Sequence, residues 1–176
     1  MKKLRNFFLY FLLLLGALML FTPKVNLYYQ AEQLLKPYGV VVSGEEVKDG
    51  GFWLGITDAT LYVKQIESAE VKSAEIKLFG LYNAVDVEGV MLSSAVAQLL
   101  PQEIGQIKVR YTIIDPLNIH VDAAGDFGTA TATVNVMERT MRALIAPSKL
   151  MTSRFAHTLR RLKKDEAGGY VYESRF

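Results

Sequence analysis

The chain has 176 residues, with His120 and His157 as its only imidazoles and no cysteine at all. Thiolate metal sites and disulfides are thereby excluded, although the redox compartment is left open. His120 is followed two residues later by Asp122. On a strand those positions share a face, the spacing of a general base and its orienting carboxylate. Such a pair still needs a nucleophile or a ligand set. No Walker loop, dinucleotide-binding glycine pattern, nucleophile elbow or paired-histidine zinc motif supplies one. His157 lies in a basic stretch, and Glu45, Glu46, Glu67, Glu70 and Glu75 read as solvated charges. The expectation is a protein without catalytic residues, metal or cofactor. A hydrolase built on His120 would lose activity in His120→Ala, and no such activity is expected.

The elements that would position these residues are strands. Apolar residues fall on Val109, Tyr111 and Ile113, then on Leu117, Ile119, Val121 and Ala123, then on Ala130, Ala132, Val134 and Val136. Period two in three successive runs, split by Asp115-Pro116 and Gly125-Asp126, predicts an antiparallel meander. Matching the faces sets a register. A loop of Ile114-Asp115-Pro116 puts Val109 opposite Val121, Lys108 opposite Asp122 and Arg110 opposite His120. A loop of Gly125-Asp126 puts Val121 opposite Ala130 and Ile119 opposite Ala132. Earlier strand-like runs cover Val40–Ser43, Phe52–Ile56, Thr60–Val63, Val71–Leu78 and Val85–Met91, punctuated by Gly44, Gly80 and Gly89. Short helices are expected over Asn26–Lys36, stopped by Pro37, and over Ser94–Leu100, ending before Pro101.

The amino-terminal segment is of another kind. Phe7, Phe8, Leu9, Phe11, Leu12, Leu13, Leu14, Leu15, Leu18, Leu20 and Phe21 dominate an unbroken apolar run from 7 to 21. Leu4 and snorkelling by Arg5 and Lys24 lengthen it toward the roughly 20 residues a spanning helix needs. No small-residue pair suited to cleavage follows it, so an uncleaved anchor is expected. Lys2, Lys3 and Arg5 precede the run, which predicts a cytoplasmic amino terminus and export of the rest. In a two-membrane bacterium the chain would sit in the inner membrane with its bulk in the periplasm. The expected division is 1–24 for the anchor and 25–176 for the exported domain.

The net charge of +2 conceals segregation within that domain. Residues 23–137 carry 8 basic and 14 acidic side chains, whereas 138–164 carry 8 basic and one acidic. In this basic zone Met137, Met141, Leu144, Met151, Phe155, Leu159 and Leu162 recur mostly at helical spacing. Arg139, Arg142, Arg154, Arg160, Arg161, Lys163 and Lys164 fall mainly elsewhere. The pattern predicts an amphipathic helix pair over 138–165, divided by Pro147, followed by a final strand over 169–176. Its apolar face would cover the sheet, and its basic residues could meet anionic lipid or a partner protein. Nothing in so small a net charge points to nucleic acid. The expected fold class is mainly β, with a few helices. A transmembrane helix leads into a curved antiparallel sheet, covered in part by the basic helix pair.

The order of these features resembles the N protein family of bacterial type II secretion machines. The resemblance is carried by the amino-terminal anchor, by Gly125-Asp126-Phe127-Gly128-Thr129 leading into Ala130–Val136, by Arg139–Ala146, and by Asp165-Glu166-Ala167-Gly168-Gly169-Tyr170-Val171-Tyr172. More loosely, the chain is similar to AsmA-like proteins, whose curved sheets form a lipid-conducting groove. The first resemblance implies a non-enzymatic accessory or scaffold that meets the bilayer and other secretion-apparatus proteins. The second implies a lipid-binding or lipid-transfer module, with Ala123, Ala130 and Ala132 lining an apolar concavity. The two part at one point: whether helix 148–164 fills the sheet's apolar face or leaves it open.

Overall fold

A computed structural model describes residues 2–165 and 168–176; Glu166 and Ala167 of the terminal motif lie outside the described residues. Helix α1 (Lys2–Phe21) is followed by α2 (Lys24–Leu35) and a short 3-10 turn, Lys36–Tyr38. The strands are β1 (Val40–Ser43), β2 (Glu46–Asp49), β3 (Trp53–Val63), β4 (Ile66–Leu78), β5 (Tyr82–Leu92), β6 (Glu103–Thr112), β7 (Asp115–Gly125), β8 (Gly128–Asn135) and β9 (Thr140–Pro147). Helices α3 (Lys149–Arg154) and α4 (Ala156–Leu159) then lead to β10 (Lys163–Lys164) and β11 (Tyr170–Arg175). All the strands join one antiparallel sheet, in the order β1-β3-β4-β5-β6-β7-β8-β9-β11-β10, with β2 also paired to β3. The chain is thus mainly β behind an apolar helix, as its alternation implies.

The expected register between β6 and β7 is found: Val109 faces Val121, Lys108 faces Asp122 and Arg110 faces His120. The turn differs, because Thr112 pairs with Asp115 across a register shift, leaving Ile113 and Ile114 at the tip. Between β7 and β8 the pairing is displaced by two residues. Val121 faces Ala132 and Gly125 faces Gly128, so Asp126-Phe127 forms the turn. A two-residue slip keeps every side chain on its own face, so alternation alone does not exclude it.

Three expected helical features change. Residues Thr140–Pro147 form strand β9 between β8 and β11, with Met141, Ala143 and Ile145 alternating along one face. The helix pair therefore shrinks to α3 and α4, and Lys163 and Lys164 belong to a strand. Ser94–Leu100 is a series of turns, held by bonds such as Val96 N–H to Ser93 O and Leu99 N–H to Val96 O. Helix α2 starts two residues before the expected range and ends at Leu35.

A row of residues crosses the sheet where its pleat breaks. Register places Asp58, Lys72, Gly89, Gly105, Gly125 and Gly128 in line across β3 to β8. Gly89 has φ 65° and Asp58 has φ 54°. Val87 and Val90 consequently pack in one cluster with Ala69, Leu92 and Ile104, although three residues apart on one strand. Regular alternation would send them to opposite faces.

Lys24, expected to snorkel, is instead buried, with 1% of its surface exposed. Its Nζ donates to Met19 O at 2.8 Å and Thr22 O at 3.3 Å, and lies 3.9 Å from Asp49 Oδ1. It thus caps the carbonyl end of α1, where a cation is favoured, and ties that end to β2. Leu20 completes the junction against Gly51. Lys24→Met keeps the stem but leaves these partly buried carbonyls without their donor, an expected loss of about 1–3 kcal/mol. Thermal unfolding of the full chain in detergent checks this. Asp49→Asn, at a partly exposed side chain, should cost clearly less.

Candidate functional site

The registers give the sheet two chemically different faces. On one, Leu54, Ile76, Val85, Val109, Val121, Ala132 and Ala143 stand in a row across β3 to β9. A parallel row holds Leu78, Tyr111, Ile119, Val134 and Met141, interrupted by Asn83. A third holds Ile56, Ala74, Val87, Ile107, Ala123, Ala130, Ile145 and Tyr170. The other face is ionic. Lys77 bridges Glu75 at 2.9 Å and Asp86 at 3.3 Å, Arg110 pairs with Asp122, and Arg142 lies 3.6 Å from Glu173.

Cover reaches the apolar face from three places, one of them the β5–β6 connection, whose Val96 and Leu100 pack in one cluster with Val87 and Ile107. Helix α2 lies against β1, β2 and β3, where Leu54 and Ile56 are buried. Helices α3 and α4 bury Met151 and Leu159 against Phe127, with Ala123, Ala130, Phe155, Leu162 and Tyr170 packed around them. Ser148 starts α3 by accepting a bond from Met151 N at 3.1 Å. Ala123 and Ala130 are therefore floor to the helix pair, whereas Ala132 lies outside that cluster. From Ile76 to Ala143, and from Leu78 to Met141, the apolar residues are half-buried and join neither core cluster. In this row Ala132 and Ala143 present small side chains beside Val121.

A groove of about 490 Å³ extends this face toward α1. Phe11, Leu15 and Leu18 of the helix form one wall, and Leu78, Phe79 and Leu81 of the β4–β5 hairpin form the other. Its size is within the range of small-molecule sites, and its walls are almost wholly apolar.

The residues considered for catalysis lie on the opposite face. His120 Nε2 meets Asp115 Oδ2 at 2.9 Å, while Asp122 is taken by Arg110. The orienting carboxylate is thus Asp115, not Asp122. Hydrogen bonds from His120 and Asn118 hold the Asp115 carboxyl below the usual carboxylate range. Both partners are partly exposed, and the cross-strand neighbours of His120 are Arg110 and Thr133. The arrangement is that of a hydrogen-bonded pair on the outer face. Among the described residues no acidic and histidine group is placed to hold a metal ion.

The basic zone does not form one surface. Arg139 lies in the β8–β9 turn at one end of the sheet, with Arg142 two residues into β9. Arg154, Arg160 and Arg161 accompany the helices at the other end, while Lys163 turns toward Glu173 at 3.8 Å beside Lys164 in β10. Adjacency in sequence concealed this separation, because β9 runs the full height of the sheet between the two groups. Whether the apolar rows are open was likewise undecided by the sequence, because alternation identifies an apolar face but not what covers it. No protein-family model, curated protein or solved structure matches this chain.

Proposed function

We propose that this chain is a non-enzymatic, single-pass membrane protein whose sheet holds a lipid acyl chain along its apolar face. One observation carries the reading: the apolar rows over β4 to β9 continue past the helix pair that covers only one end of them. Helix α1, at 20 residues, is about 30 Å long and matches a bilayer's hydrocarbon thickness. Its basic start favours a cytoplasmic amino terminus and a sheet on the far side, in the periplasm of a two-membrane bacterium. Partly exposed apolar surface over several strands is unfavourable in water, and a bound acyl chain would remove it at about 0.8 kcal/mol per buried methylene. The test is recovery of phospholipid with the purified full chain, quantified by mass spectrometry. Ala132→Phe serves as the control, since it keeps the anchor and its surrounding lipid. Equal recovery from both proteins would contradict the reading.

A second reading, an accessory of a type II secretion-like apparatus, draws on the edge of β11. Strand β10 pairs only with Tyr170 and Val171, so among the described residues Tyr172–Arg175 have no strand on that side. Such an edge can accept a strand from a partner. Recovery of a secretion component crosslinked at Tyr172, without lipid on the apolar face, would favour this role over the first.

A further inference from the structure

The turns at one end of the sheet are made of residues that turns ordinarily avoid. Tight hairpins favour glycine, asparagine and aspartate, yet the β6–β7 tip is Ile113-Ile114, with Ile114 92% exposed. Leu81 in the β4–β5 turn is 60% exposed and Met137 in the β8–β9 turn is 74% exposed. Antiparallel order brings these turns and Phe176 to the same end, since β4, β6, β8 and β11 finish there. Ile113 N–H bonds to Leu81 O at 2.9 Å, and Phe176 N–H to Arg139 O at 3.0 Å, so neighbouring tips are joined. At the opposite end the two tight turns are Lys64-Gln65 and Asp126-Phe127, and Phe127 is turned inward and buried.

The apolar end is also the end that meets α1. Phe11 and Leu15, which line the groove with Phe79 and Leu81, stand about 9–15 Å back along the helix from Phe21. If α1 spans a bilayer, the β4–β5 tip lies at the depth of its hydrocarbon. We propose that these hairpin tips insert into the leaflet from which α1 emerges, so that the apolar rows open directly onto lipid. This rests on the membrane-spanning reading of α1. The tip backbone suits such a place. Phe79 N–H is bonded to Tyr82 O at 3.1 Å, Leu81 N–H to Phe79 O at 2.7 Å, and Gly80 N–H to Asn83 Oδ1 at 3.2 Å. Unsatisfied backbone groups would be heavily penalised there. Arg139, in the β8–β9 turn, is suited to an anionic headgroup at the surface.

The absence of cysteine permits single-site labelling throughout. The full chain is reconstituted in phosphatidylethanolamine–phosphatidylglycerol vesicles, with an environment-sensitive fluorophore on Leu13→Cys, Leu81→Cys, Ile114→Cys or Lys64→Cys. Labels at 13, 81 and 114 should be quenched by spin-labelled acyl chains and shielded from aqueous iodide, with blue-shifted emission. The label at 64 should show the reverse. Iodide-accessible labels at 81 and 114, together with a lipid-quenched label at 13, would overturn tip insertion while leaving the anchor intact. An iodide-accessible label at 13 would overturn both.

Discussion

Replacing Gly128 by alanine is expected to remove about 3 kcal/mol of stability, the upper range for a single backbone-strain substitution. Gly128 has φ 113°, a conformation open to glycine and strained for other residues. An added Cβ would stand 2.2 Å from Ala146 O and 2.7 Å from Ser148 N. Both are backbone atoms, so no side chain can swing aside. The displaced segment also holds the helix pair in place. Ser148 N–H bonds to Phe127 O at 2.9 Å, and Ser148 Oγ donates to Asp126 O at 2.6 Å. Moving Ser148 would therefore disturb the start of α3 and the burial of Phe127, Met151 and Leu159. Gly80→Ala is the comparison: φ there is 69°, but nothing lies within 4 Å of the added carbon. It should cost only about 1 kcal/mol. Urea midpoints of the two variants, measured under identical detergent conditions, check the difference.

Ala132→Phe is expected to reduce bound phospholipid about tenfold while leaving stability within about 0.5 kcal/mol of the parent. Ala132 stands between Val121 and Ala143, in a row that joins no core cluster. On a face open to lipid, a phenyl ring there takes space that a bound chain would use, not space held by protein atoms. If it occupies the space of two methylenes of a bound chain, the loss is about 1.6 kcal/mol, or roughly tenfold in affinity. A filled core predicts the opposite pair of results. Overpacking would cost about 1–3 kcal/mol, and lipid recovery would not change. The stability and lipid measurements together separate the two cases.

The sheet was readable where alternation is strict. Val109, Tyr111, Ile119 and Val121 fix a face, and the β6–β7 register follows from matching it. The same logic is indifferent to a two-residue displacement, which is how Val121 comes to face Ala132 in place of Ala130. Strand β9 was hidden by Met141 and Leu144, whose three-residue spacing continues into the true helix at Met151. Leu144 in fact lies on the outer face and is 42% exposed. The alternation of Met141, Ala143 and Ile145 was present but short. Lys24 was readable as a membrane flank because its charge follows an apolar run; its burial depends on Asp49, 25 positions along the chain. Ile113 and Ile114 looked like strand continuation and loop, since nothing local marks a turn made of isoleucines. The open face was the least legible feature, being defined by where the helix pair stops.

Photocrosslinking from that face tests the central claim most directly. A benzophenone amino acid replaces Val121 in the full chain, and in a second protein it replaces Asp122, which lies on the opposite face of the same strand. After irradiation in native membranes, adducts are identified by mass spectrometry. A phospholipid adduct at 121 and none at 122 is the predicted result. Absence of lipid at 121, or equal labelling at both positions, would contradict an apolar face open to lipid.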